Sequence, residues 1–176
     1  MSDFGISIVP TISEYPDRHT KAAEICAWLI AESIIASKLS DCILNKNLGY
    51  SIGKQAYKAV TTPSLLPFNL AINGLELVTE RAVFSTELEK LICPTCRSNI
   101  ASDDWDLMPW VEQESTGIIC PQCAREASIR QYNFKPTWGF SNLGFTFWNW
   151  PTLTQQFITE FETRLGCTVS VVSQQV

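Results

Sequence analysis

Histidine is nearly missing from this 176-residue chain, with His19 the single example. One imidazole leaves little to draw on for a histidine-assisted nucleophile or for a metal site of mixed ligands. His19 stands beside Asp17 and Arg18 where a first helix should begin, and reads as a surface residue. No Walker loop or dinucleotide glycine fingerprint is present. Gly49 to Gly53 spells G-x-S-x-G around Ser51, but an elbow nucleophile needs its histidine downstream and His19 lies upstream, so the match reads as chance. Long apolar runs are lacking too: Ile25 to Leu39 is broken by Glu32, Ser33, Ser37 and Lys38, and no membrane helix is expected. The N-terminal Met1-Ser2-Asp3-Phe4 has no basic region leading into an apolar run, so no secretory signal is expected and a cytoplasmic setting is. An excess of basic residues is also wanting. Thirteen Lys and Arg face eighteen Asp and Glu, a net charge of −5, which disfavours nucleic acid and anionic membrane as main partners.

What the chain does have is cysteine. There are seven, an odd number that cannot all pair within the chain. Cys26, Cys42 and Cys167 are scattered, whereas the other four form Cys93-Pro94-Thr95-Cys96 and Cys120-Pro121-Gln122-Cys123, with twenty-three residues between. Two residues between cysteines let a tight turn aim both sulfurs at one ion, and proline at the second position presets φ for it. Two such turns complete a tetrahedron. Four thiolates leave no open coordination position, the signature of a structural site. The pattern over roughly Leu91 to Ala127 resembles a zinc ribbon, in which each knuckle tips a short β-hairpin. The resemblance implies a bound metal and no particular activity. The spacer slightly exceeds the common length of about 15–20 residues. Arg97 and Ala124 follow the knuckles where rubredoxin-like turns often carry glycine, which puts structural Zn²⁺ ahead of iron and of a thiol-redox pair.

The rest reads as an α/β chain. Phe4 to Ile12 is expected as a strand, followed by a helix from about Asp17, its cap, to Leu39. Ile52 to Val60 is left open between short helix and strand. Leu75 to Phe84 reads as a strand, or a pair broken near Thr79, and Ala127 to Phe134 as another. Leu143 to Trp150 carries large apolar groups on both parities, so it should be a strand covered on both faces. Thr152 with Gln155 offers a capping box for a helix whose stripe is Leu153, Phe157, Ile158, Phe161 and Leu165, with Gly166 as its C-cap. Cys167 to Val172 closes as a strand. The stretch from Gly144 to Gly166 resembles the ends of some bacterial proteins, a likeness that implies no activity. The expected architecture is an α+β sandwich, a mixed sheet with two main helices, formed by residues 1–90 and 125–176, into which residues 91–124 insert a four-cysteine zinc ribbon. A ferredoxin-like arrangement is one way to build it.

Function is expected on the surface the metal holds. Between Leu91 and Ala124 Arg97 is the only basic residue, against Asp103, Asp104, Asp106, Glu112 and Glu114, so the loaded ribbon is acidic where a phosphate-binding ribbon would be basic. The acidic run Asp103 to Asp106 reads as a solvated loop. Trp28 and Ile35 sit among charges on the expected first helix, either covered by another segment or exposed to a partner or a second copy. Trp105 and Trp110 in the acidic loop read as core or contact residues. The aromatics from Trp138 to Trp150 read as core. These features favour a non-catalytic protein–protein interaction module of immunity or adaptor type, stabilised by zinc and suited to a basic partner, with a homodimer as a further option. An enzyme with dispersed catalytic residues and a nucleic-acid-associated ribbon are the alternatives.

Overall fold

The computed structural model describes residues 2–176, which fall into two compact units, one of residues 2–84 with 139–176 and one of residues 85–138. In the first unit the chain enters on β1 (Phe4–Pro10), an apolar strand buried on both parities beyond Phe4, and continues into helix α1 (Arg18–Ala31). The helix stops eight residues short of the expected end. Ser33 takes a left-handed φ of 55°, its N–H donates to Ile30 O at 2.9 Å, and that of Ile34 donates to Leu29 O at 2.9 Å. This is a Schellman ending with serine where glycine is usual, which hides it from the sequence. Asp17 does not cap: its backbone is left-handed, with φ 51°, so its carboxylate lacks the extended geometry a capping side chain needs.

The chain then runs a meander of β2 (Ile35–Ser40), β3 (Gly49–Ile52) and β4 (Leu75–Val78), with a 3₁₀ turn over Ala56–Ala59 resolving the segment that the sequence leaves open between helix and strand. Strand β5 (Ala82–Phe84) follows after the break near Thr79. Residues 85–138 intervene, carrying β6 (Lys90–Ile92), helix α2 (Met108–Val111), β7 (Gly117–Ile119), β8 (Glu126–Ser128) and β9 (Asn133–Lys135). The first unit resumes with β10 (Gly139–Ser141), β11 (Gly144–Trp148), α3 (Gln155–Leu165) and β12 (Val169–Gln175). Thr154, not Thr152, caps α3, its hydroxyl accepting from Phe157 N–H at 3.1 Å. Leu153 bridges Val60, which keeps the chain extended past Thr152 and delays the helix.

The main sheet has the order β12-β1-β11-β4-β3-β2, and every pairing in it is antiparallel. The expected mixed sheet is therefore corrected. Each helical crossover spans at least one intervening strand, so no parallel neighbours arise. Strands β12, β1, β11 and β4 with helices α1 and α3 have the order of a split βαβ unit. One sheet face meets both helices through Ile6, Ile8, Leu75, Phe145 and Phe147, against Ile25, Leu29, Phe157 and Phe161. The other is covered by the β5–β10 pair, where Val9, Phe84 and Val172 cluster. All five residues of β11 are buried, as a strand covered on both sides must be. The insertion leaves and returns at Phe84 and Gly139, which are register partners.

Candidate metal centre

Within residues 85–138, two hairpin-like turns bring the cysteines together. Strand β6 pairs with β9 and delivers Cys93. Strand β7 pairs with β8 and delivers Cys120. The turns repeat each other bond for bond. Cys93 N–H donates to Ser98 O at 3.0 Å and accepts at its carbonyl from Arg97 N–H at 3.0 Å. Cys120 N–H donates to Arg125 O at 3.0 Å, and Cys120 O accepts from Ala124 N–H at 2.8 Å. In each, the N–H two residues on points at the first sulfur, Thr95 to Cys93 Sγ and Gln122 to Cys120 Sγ, both at 3.4 Å. The residues that close the turns, Arg97 and Ala124, hold left-handed φ angles of 64° and 60°. Glycine's role at these two positions is therefore filled by residues that carry a Cβ.

The four sulfurs lie within 4.8 Å of one another. Cys93 and Cys123 are 3.9 Å apart, and Cys96 and Cys120 are 3.7 Å apart. A tetrahedron with metal–sulfur distances of about 2.3 Å has edges of about 3.8 Å, so the cluster fits one tetrahedral ion of the soft-ligand class, as structural zinc is. Cys93 and Cys120 are fully buried, while Cys96 and Cys123 lie nearer the surface. Burial opposes ionisation of Cys93, but the N–H groups of Cys96 and Thr95 and the neighbouring thiols outweigh it and lower its pKa to about 6. Ser98 lowers that of Cys96. Burial dominates at Cys120 and pushes it up to about 11. Because a metal takes all four as thiolates, loading releases protons and weakens as pH falls.

A small set of buried side chains supports the site: Leu91, Ile100, Trp110, Ile118, Ile129 and Tyr132. Tyr132 donates its hydroxyl to Ile118 O at 3.2 Å, and its phenol is held well above the ordinary value by burial and by the charge of Cys93. Nothing in the sequence distinguishes Tyr132 from any other core tyrosine. The acidic loop is latched to the second knuckle, Gln122 Nε2 donating to Asp103 Oδ2 at 2.9 Å. Trp105 leans on Phe134 and Trp138, with ring centroids 6.3 Å and 6.0 Å away.

Three of the four residues expected at an interaction surface, Trp28, Ile35 and Trp110, are buried. Trp110 is 1% exposed and Ile35 is 2% exposed. Trp28 is also buried, packing on Phe157 and Phe161, with the Arg164 guanidinium 4.3 Å above its ring. Ile35 opens β2 instead of extending α1, so the two do not share a helix face. Trp105 is half-buried. The exposed apolar side chains of this unit are instead Met108, Val111 and Ile119. Proline at the start of α2 (Pro109) is the available signal for the turn that presents the first two.

His19 is exposed in the first turn of α1, and Ser51 lies on β3. A cleft of about 350 Å³ in the first unit is lined by Trp28, Glu32, Lys58, Glu160 and Arg164. Its Glu32 and Lys58 pair at 3.5 Å and its Arg164 is seated on Trp28, so three of its four charged groups are engaged with one another or with the floor. No helix among the described residues is long and apolar enough to cross a membrane. Comparison of the chain with family models, with curated proteins and with solved structures finds no match.

Proposed function

We propose that the protein is a non-catalytic protein–protein interaction module whose metal-binding insertion, organised by structural Zn²⁺ at Cys93, Cys96, Cys120 and Cys123, presents an acidic surface to a basic partner. The observation that carries this reading is the closed four-cysteine cluster. A tetrahedron filled by four protein sulfurs has no position for water or substrate, so its work is to hold the chain around it. Residues 85–138 carry eight acidic and five basic side chains, and a zinc ion bound by four thiolates adds two more negative charges. Zinc is favoured over iron because the knuckles close on Arg97 and Ala124.

The binding surface is placed on Met108, Val111, Ile119 and the edge of Trp105, with Asp104, Asp106, Glu112 and Glu114 around the same loop. Apolar side chains exposed beside one sign of charge mark a contact more often than a solvated face does. Elemental analysis of purified protein should return one zinc per chain. Affinity capture from the native host should retain a basic partner on the wild type and lose it on Ile119→Glu with Met108→Glu, while both forms keep their zinc. Capture that is indifferent to these substitutions and to salt would rule this surface out.

A further inference from the structure

The two edges of the main sheet are built differently. At one end β2 carries Lys38 and a register shift between Ile35 and Leu39, devices that natural sheets use to discourage pairing with another chain. At the other end β12 spells Val-Ser-Val-Val-Ser-Gln-Gln, seven residues with no charge and no proline, paired to β1 in unbroken register. Nothing in that strand blunts it.

Which groups of β12 face outward follows from the ladder. Thr11 N–H donates to Thr168 O at 3.0 Å and Val176 N–H to Asp3 O at 2.9 Å. With the register constant between them, the even-numbered residues of β12 bond to β1 and the odd-numbered ones turn their N–H and C=O away. Of these, Val169 N–H is taken by Glu162 Oε2 at 3.1 Å. Val171, Ser173 and Gln175 are left, each with a donor and an acceptor on the open edge.

We propose that β12 is a homodimer interface, in which two copies pair these edges antiparallel about a two-fold axis at Ser173 and continue the sheet from one subunit into the other. In that register Ser173 meets Ser173 of the second copy and Val171 meets Gln175 of the second copy, so every outward N–H and C=O of the three residues finds a partner. Shifting the axis to Val172 would bring in Val169, whose N–H is already bonded, and would leave Gln175 opposite it. A second copy fits better than an arbitrary strand because the pairing is self-complementary in length, in hydrogen-bond parity and in the absence of charge. The serines meet as a hydroxyl pair. The strand starts, each with its Glu162, point to opposite ends, about 27 Å apart at 3.4 Å per residue, which is beyond the screening length of about 8 Å in physiological salt.

Light scattering on the zinc-loaded full chain at micromolar concentration should give twice the 19.7 kDa of one chain. Ser173→Lys puts like charges directly opposite each other across the axis and should weaken the dimer by about tenfold or more. Ser173→Pro removes an outward N–H while leaving the ladder to β1 whole, and should give a monomer that melts cooperatively. Ser173→Lys mixed with Ser173→Glu should restore a dimer, now heteromeric, which a merely damaged strand would not do. A monomeric wild type would overturn the proposal, and so would a dimer unaffected by Ser173→Lys.

Discussion

In the sheet unit six aromatic rings do most of the filling. Phe145, Phe147, Phe157, Phe161, Trp28 and Trp150 meet edge-on or tilted at centroid distances from 4.9 to 6.2 Å. In the metal-binding unit the corresponding centre is four sulfur atoms, with a thin layer of apolar side chains around them. The difference follows from size. A segment of about fifty residues with three-residue strands buries too little apolar area to offset its chain entropy, since such scaffolds rarely draw more than about 3–5 kcal/mol from a core. Structural zinc contributes roughly 10–16 kcal/mol in small peptides. The sheet unit, with both faces of β11 covered, has no comparable need.

The sharpest way to break this contrast is to remove one ligand. Cys120→Ser should abolish stoichiometric zinc and with it about 10 kcal/mol of binding free energy. Amide exchange should then become fast across β6, β7, β8 and β9 while β1, β11 and α3 stay protected. If zinc content and exchange are unchanged, the ligand assignment fails; if all strands lose protection together, the two units share one source of stability. The reciprocal experiment is Phe161→Ala. That ring is fully buried, and its loss should cost about 3–5 kcal/mol in denaturant unfolding with zinc stoichiometry kept at one per chain. Zinc lost in step with the fold of the sheet would contradict the comparison.

Cysteine itself behaves differently in the two units, and pH separates them. Cys26, in the sheet unit, is pushed up to about 11 by burial, against a smaller opposing hydrogen bond with Tyr50. Because its folded pKa lies above the unfolded one, its contribution is fully present below about pH 9 and is lost as pH rises toward 11. A thiol displaced that far from its ordinary value is worth about 3 kcal/mol. Cys26→Ala should therefore flatten the alkaline limb of the stability curve by about that amount, measured between about pH 8 and about pH 11. In the metal-binding unit the dependence runs the other way, since protons compete with the ion for its thiolates and zinc should be released on acidification.

Much of this architecture can be read from the residues, for reasons that differ by element. Strand β11 announces itself because apolar side chains on both parities have one common explanation. The cysteine cluster is legible because two CPxC turns state which sulfurs converge and the local geometry at once. What the sequence conceals is set by backbone geometry without its usual residue. Ser33 ends α1 in a conformation glycine normally supplies, so the helical pattern reads through to Leu39 and puts Ile35 on the wrong element. Thr152 has the better capping-box spacing, yet the Val60–Leu153 bridge gives the cap to Thr154. The sequence leaves Trp110 and Trp28 open between core and contact because tertiary cover has no local signature, and of the exposed Met108, Val111 and Ile119 the first two alone have a local cue, Pro109 in the turn that presents them. Strand directions also lie beyond reach, because the meander β2-β3-β4 that makes the sheet antiparallel depends on where α1 stops.

The smallest effect tests the finest feature, the likeness of the two knuckles. Arg97 and Ala124 occupy equivalent left-handed positions, with φ 64° and 60°, a region that costs a residue with a Cβ about 1–2 kcal/mol. Glycine removes that cost but adds backbone entropy to the unfolded chain, about 0.5–1 kcal/mol. The net gain should therefore be about 0.5–1 kcal/mol at each turn. It should appear as tighter zinc retention against a competing chelator, because metal binding and folding of these turns are one equilibrium. If the knuckles are equivalent, Arg97→Gly and Ala124→Gly should gain alike and add in the double variant, provided the metal does not couple them. A gain at Ala124 alone would mean that the arginine side chain supports its own turn, and the repeated hydrogen bonds would then conceal two turns held in place by different means.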